Sequence, residues 1–86
     1  MKPRISCDLH DYIEIACMYK IPVSLTLKDG RVLSGKPITT TFNRAKEECI
    51  LFFHFSSEEE EHIPLYLLEI MASITPNVHF NTVVFE

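Results

Sequence analysis

Residues 7–17 read CDLHDYIEIAC, and this short stretch concentrates side chains that could do chemistry. It holds two Cys, one His, two Asp and one Glu. Such a group fits three kinds of site: a metal site, a catalytic cluster, or a charged face that binds a partner. The choice between them depends on the element that positions these side chains and on the rest of the chain.

The stretch predicts one short helix over residues 9–18. Asp8 is a candidate N-cap, with Ser6 as a competing choice, and Pro22 prevents the helix from continuing. At about 100° per residue, one side of the helix carries the apolar set, Leu9, Tyr12, Ile13, Ala16 and Cys17. An arc of about 120° on roughly the opposite side carries three carboxylates, Asp8, Asp11 and Glu14.

A metal site has some support from spacing, because a helix brings Cys7 close to His10 and His10 close to Glu14. Structural zinc, however, prefers four Cys or His ligands, usually with Cys pairs two to four residues apart. Cys17 turns toward the apolar side, where a small core residue is expected. We therefore expect no stoichiometric zinc and no other cofactor. The acidic residues then form either a solvated helix face, with first-turn Asp favouring the helix dipole, or a partner-binding face.

Nucleophilic catalysis is the second chemical alternative. The candidate nucleophiles are Cys7, Cys17 and Cys49, and the candidate bases are His10, His54, His62 and His79. No strand–elbow–helix glycine motif and no known Cys/His signature surrounds them. A chain of 86 residues is also short for an enzyme pocket. We therefore expect a protein that is not an enzyme.

Length and composition predict one globular domain over residues 1–86, since 47% of the residues are hydrophobic. No apolar run approaches the roughly 18–20 residues of a membrane span, and the first residues lack the apolar run of a signal peptide. Three Cys, an odd number, do not favour a disulfide framework. We expect a cytoplasmic protein with reduced thiols that is a monomer when free.

The charges are divided between the two halves of the chain. Residues 1–46 carry all eight Lys and Arg and four acidic side chains, whereas residues 47–86 carry eight acidic side chains and no Lys or Arg. An acidic protein without a basic tract is a poor candidate for binding the phosphate backbone of a nucleic acid. It is a better candidate for docking on a basic protein surface.

After Pro22 the apolar period changes from 3.6 to 2, and Asp29 with Gly30 is a strong hairpin signal within VSLTLKDGRVLSG. Further extended segments are predicted at residues 38–42, 49–55, 62–74 and 81–86. Pro64 is expected at an edge or bulge. The pattern predicts one helix followed by five or six antiparallel strands, closed into a small barrel that removes exposed edges. The Glu run at residues 58–61 is either a solubilising loop or an added acidic contact surface.

Two blocks of the sequence resemble the Rof (YaeO) family of Rho-binding antiterminators. The pattern is C-D-x-x-D-x-x-E-x-A-C followed after a short gap by L-x-L-K-D-G. The matching positions are Cys7, Asp8, Asp11, Glu14, Ala16, Cys17, Leu25, Leu27, Lys28, Asp29 and Gly30. The resemblance covers roughly residues 5–36, and beyond it only the strand pattern is similar. It implies an Sm-like fold, with an N-terminal helix on a strongly bent small barrel; the pattern alone does not select Sm over other small barrels.

The resemblance also implies a function. Proteins of this family bind the transcription termination factor Rho at its primary RNA-binding domain and keep RNA out, which suppresses termination. An RNA-binding surface presents Lys and Arg, and carboxylates three residues apart on a helix suit those cations. The residues expected to pair with them are Asp8, Asp11 and Glu14.

The remaining contacts implied by the resemblance lie next to this face. Cys7 is expected at the edge of the contact. His10 stands where the family leads us to expect an aromatic side chain. The loop at residues 43–48 carries Arg44 and Lys46, which are expected to form a second contact.

An Sm-like RNA-binding module is the competing function. LKDGRVLSG resembles the first Sm motif, in which Gly allows strong strand curvature. No second motif with a basic residue next to Gly follows, because the chain has no Lys, Arg or Gly after residue 46. Salt-dependent RNA binding by the isolated protein would favour this module, whereas Rho binding without RNA binding would favour the antiterminator.

Overall fold

A computed structural model describes residues 7–85 and shows one N-terminal helix followed by a mostly antiparallel sheet. This confirms the predicted fold class. The elements are α1 (Cys7–Met18), β1 (Val23–Leu27), β2 (Val32–Phe42), β3 (Glu48–His54), β4 (Glu60–Pro64), a 3-10 turn (Leu65–Leu67), β5 (Leu68–Ser73) and β6 (Thr82–Val84). None of the helices in these residues is long and apolar enough to cross a membrane.

Helix α1 begins at Cys7, so Asp8 lies inside the first turn and not at the N-cap position. The competing cap, Ser6, lies outside the described residues. At the other end Lys20 has φ 51°, and the N–H of Ile21 donates to the carbonyl of Ala16 at 3.0 Å. This is the Schellman arrangement, which satisfies the last carbonyls of a helix. The helix therefore ends before Pro22 is reached.

The strands form one sheet in the order β4-β3-β2-β1-β5-β6. The β1–β2 hairpin turns at Gly30, whose φ of 97° confirms the turn predicted from sequence. The sequence predicted separate strands before and after Pro37, but β2 runs through it as one strand of 11 residues. Its pairing with β3 shifts register between Pro37 and Thr39, and such a bulge accommodates a residue without an N–H.

Residues 62–74 were predicted to be extended throughout, but the 3-10 turn at Leu65–Leu67 divides them into two strands. β4 pairs with β3 and β5 pairs with β1, so this turn carries the chain from one side of the sheet to the other. Pro64 is the last residue of β4, which is an edge strand, as its sequence indicated.

One hydrophobic core holds the sheet and the helix together. Its members include Ile13 and Ala16 of α1, Phe52 of β3, Ile63 of β4 and Val83 of β6. Because this single core contains residues from both ends of the strand order, the sheet must curl around it. Within the described residues no pairing joins β4 to β6, so the barrel-like sheet stays open at this seam.

Candidate partner-binding site

The apolar side of α1 fixes the orientation of its acidic side. Ile13 and Ala16 are fully buried and Cys17 is buried, while Leu9 and Tyr12 pack partly buried against the same core. The side predicted to face the barrel is thereby confirmed. On the other side the predicted carboxylates are all exposed: Asp8, Asp11 and Glu14.

The three carboxylates differ in what they contact. Glu14 Oε1 lies 3.1 Å from Nδ1 of His10, one turn earlier on the helix. Asp8 and Asp11 form no hydrogen bond and no ion pair through their side chains with residues 8–85. The charges of Asp8 and Asp11 are therefore not compensated by any residue that the structure describes.

His10 connects the helix to the sheet. Its Nε2 lies 3.0 Å from Oε2 of Glu48, the first residue of β3, while its Nδ1 faces Glu14. Ionised carboxylates only accept hydrogen bonds, so an imidazole that bonds to both must donate from both nitrogens and carry a positive charge. Partial burial lowers the pKa of His10, but the hydrogen bond to Glu48 and the charges of Glu48 and Glu14 outweigh it and raise this pKa above 6.5.

The contact between His10 and Glu48 brings the loop at residues 43–48 beside the helix. Asn43 closes this loop: its Oδ1 accepts from the backbone N–H of Ala45 at 2.9 Å and of Glu47 at 3.0 Å. Both basic residues that the sequence analysis singled out in the loop, Arg44 and Lys46, are exposed. The structure thus places the loop with these residues next to α1.

Glu48 is a site residue that the sequence analysis missed. It lies 38 positions from His10, and no local spacing rule connects two residues so far apart. The only sequence signal was His10 itself, a titratable residue in the middle of an acidic stretch.

The two thiols described by the structure, Cys17 and Cys49, are packed in the interior. Burial raises the pKa of Cys17 to about 11. Cys49 is fully buried, its Sγ donates to the carbonyl of Glu47 at 3.4 Å, and burial raises its pKa as well. The side chain of Cys7, the third candidate, lies outside the described part of the structure. Within the described part, no three His, Cys, Asp or Glu residues are grouped in a way that could hold a metal ion.

A second ionic group lies at the β4 edge. Glu61 accepts from Nη2 of Arg31 at 3.0 Å and lies 2.8 Å from Nε2 of His54. The hydrogen bond from Arg31 is the main cause that lowers the pKa of Glu61. The Glu run is therefore only partly a loop, since β4 begins at Glu60 and Glu61 ties this strand to the β1–β2 hairpin.

Comparisons with known proteins agree with this architecture. A family model described as "Modulator of Rho-dependent transcription termination (ROF)" matches residues 4–85. A solved structure of YaeO bound to magnesium, from Vibrio cholerae O395, is 34% identical, with a TM-score of 0.83 over 88% of this chain and 96% of that one. No curated protein matches significantly. Because the family match includes the acidic helix and all six strands, this chain belongs to the ROF family of modulators of Rho-dependent transcription termination.

Proposed function

We propose that this protein inhibits Rho-dependent termination by binding the primary RNA-binding domain of Rho through the acidic side of α1, so that RNA is kept out. The observation that carries the proposal is the exposure of Asp8 and Asp11, which have no ion-pair partner among the described residues. A surface that binds RNA presents Lys and Arg to phosphates. Carboxylates on a helix held by the core pair with such cations in the place of phosphates.

The other candidate residues have graded roles in this contact. Glu14 reaches Rho while its charge is shared with His10, so it contributes less than Asp8 or Asp11. Arg44 and Lys46 form a second contact from the neighbouring loop, with acidic or polar groups of Rho. Cys7 lies at the margin of the contact.

The fixed position of α1 favours tight binding. Ile13 and Ala16 anchor it in the core, and Nζ of Lys20 donates both to the carbonyl of Cys17 and, at 3.1 Å, to the carbonyl of Ile38 in β2. A helix that is already ordered loses little conformational entropy on binding, so more of the interaction energy appears as affinity.

The competing function, direct RNA binding, is less well supported. Arg31 lies within the segment that resembles the first Sm motif, and its guanidinium is engaged by Asp29 and Glu61. The ammonium of Lys20 is occupied by backbone carbonyls. Neither of these cations is available for a phosphate without loss of an internal contact. We therefore assign no direct contact with nucleic acid to the free monomer, which acts on transcription in the bacterial cytoplasm.

The V. cholerae protein was solved with magnesium bound. In residues 8–85 of this chain the His, Cys, Asp and Glu side chains form no group of three or more that could hold such an ion. The proposed binding uses the carboxylates directly and involves no metal.

The proposal is tested by titrating this protein into a complex of Rho with labelled pyrimidine-rich RNA. RNA should be released as the protein binds, and excess RNA should restore its own binding. ATP hydrolysis by Rho should fall only as RNA is lost, because the ATPase site is not blocked. A ternary complex that retains RNA at saturating protein would refute the competition and point to an effect on the Rho ring.

A further inference from the structure

A groove of about 410 Å³ runs between the first half of α1 and β6. Leu9 and Tyr12 line its helix side, and the ring of Tyr12 packs edge-on against Phe80 with 6.1 Å between ring centroids. Phe80 and Val83 are almost completely buried, so they form an apolar floor. A groove with such a floor suits an apolar side chain.

Strand β6 forms one wall of this groove, and its outer edge is unpaired among the described residues. Asn81 and Phe85 hydrogen-bond to the β5 side at 2.7 and 2.8 Å. The backbone direction alternates along a strand, so the N–H and C=O groups of Thr82 and Val84 point away from β5. Both residues are exposed, and Val84 exposes 57% of its surface. Two residues of β6 thus offer main-chain hydrogen bonds to an added strand.

The charge around the groove identifies the occupant. At about 100° per residue, Asp8 is displaced by only about 40° from Tyr12, so its carboxylate lies on the shoulder of the groove. Neither α1 nor residues 47–86 contain any Lys or Arg. His79 lines the groove, but its ring is stacked on Tyr19 at 4.5 Å. The rim that α1 and the β6 region form around the groove is therefore acidic, and it is complementary to a basic segment of a partner.

We propose that an extended basic segment of Rho adds to β6 as a further strand, with one apolar side chain in the groove and a neighbouring Lys or Arg at Asp8. This inference rests on the proposed function and names a second part of the same interface. A second copy of this chain is a poorer occupant, because pairing two β6 edges would bring two acidic helix shoulders together.

The test compares Val84→Pro with Val84→Ala in binding to full-length Rho by calorimetry. Proline removes the outward N–H of Val84, is tolerated at a strand edge, and requires only that Val83 stay extended, as it already is. Alanine trims the side chain but keeps the N–H. Val84→Pro should weaken binding about tenfold, whereas Val84→Ala should stay within about threefold, because main-chain hydrogen bonds hold an added strand. Circular dichroism and thermal unfolding verify that both variants fold.

Amide hydrogen exchange of the wild-type protein provides a measurement without any substitution. On binding Rho, the amides of Thr82 and Val84 should gain protection, while Val83, already bonded to β5, should change little. Equal binding by both variants, or no gain of protection at Val84, would overturn the inference.

Two other occupants give distinct results, and each would overturn the inference. Protection of Val84 in the free monomer would show that the chain's own residues 1–6 cover the edge. Protection that rises with protein concentration, together with a dimer mass, would show a second copy. If the wild-type protein does not bind Rho at all, the proposed function itself fails. If it binds Rho, displaces RNA and tolerates Val84→Pro, only the added strand fails.

Discussion

Nε2 of His10 lies 3.0 Å from Oε2 of Glu48 and joins the start of α1 to the start of β3. Because Nδ1 of the same ring faces Glu14, the imidazole is held between two carboxylates and is cationic when both are ionised. The protonation of one side chain therefore sets both the attachment of the helix and the net charge of its exposed side.

His10→Gln should remove a pH-dependent part of the stability. The folded-state pKa of His10 is raised above 6.5, so its stabilising contribution is complete below pH 6.5 and is lost as the pH rises through the raised value. The difference in unfolding free energy between wild type and variant should therefore shrink toward alkaline pH. Urea unfolding across this range measures it. His62→Gln, at an exposed histidine of β4, is the matched control for the loss of a histidine. Parallel pH profiles for wild type and His10→Gln would contradict the assignment.

Asp11→Lys should weaken Rho binding at least about tenfold, because a cation would face a basic surface. The fold should persist, since Asp11 is exposed. Glu59→Lys makes the same change of net charge at an exposed position of the β3–β4 connection. Calorimetric titration of both variants separates a local contact from a general charge effect. Equal losses would show that overall charge, or the Glu run itself, drives association.

The rate of association with Rho should fall as salt is added. Steering between exposed opposite charges is screened over about 8 Å at physiological ionic strength. Stopped-flow measurements at several salt concentrations give the slope, and Asp11→Lys should flatten it. A wild-type rate that does not depend on salt would remove long-range electrostatics from the mechanism.

The parts of the fold that sequence predicted well are those with local causes. The apolar period of α1 places Ile13 and Ala16 in the core, and the alternation of β1 buries Val23, Leu25 and Leu27. Gly30 marks its turn because a left-handed backbone there favours glycine. The prediction of a separate strand at residues 38–42 was wrong because a bulge, which depends on the pairing with β3, accommodates Pro37 and lets β2 continue through it.

The candidate site also has a part that the sequence predicted and a part that it did not. The spacing of Asp8, Asp11 and Glu14 on one helix follows from helix geometry and was predictable. The hydrogen bonds between His10 and Glu48 and between Arg31 and Glu61 were not predictable. Their partners lie 38 and 30 residues apart in the sequence and meet only after the sheet has curled. The uneven pairing of the three carboxylates is therefore a product of tertiary structure.

Gly35→Ala should strongly destabilise the protein. A Cβ at this position would overlap the backbone carbonyl of Phe53 in β3, which cannot move without disturbing the β2–β3 pairing. We expect a loss of about 3 kcal/mol or more, as for severe overpacking. Urea unfolding measures the loss, and the exposed neighbour Ser34→Ala should cost little. A Gly35→Ala protein as stable as wild type would disprove the close approach.

Cys17 and Cys49 should resist alkylation in the folded protein. Burial raises the pKa of Cys17 to about 11 and leaves Cys49 without exposed surface, so few thiolates are accessible near neutral pH. Iodoacetamide labelling followed by peptide mass spectrometry should show slow modification at both positions and rapid modification in urea. Fast labelling of native Cys17 would mean that α1 separates readily from the sheet.

The two edges of the open sheet have different consequences for growth of assemblies. On β4 the exposed Glu60 and the terminal Pro64 oppose the docking of another strand, whereas β6 carries neither charge nor proline. Rings and filaments built head to tail require two complementary edges on each subunit. A subunit with one blocked edge can join an assembly, but no further subunit can add at that blocked edge. Strand addition at β6 therefore stops after one partner has bound. The blocked β4 edge protects the protein against polymerisation through the sheet, although β6 stays unpaired.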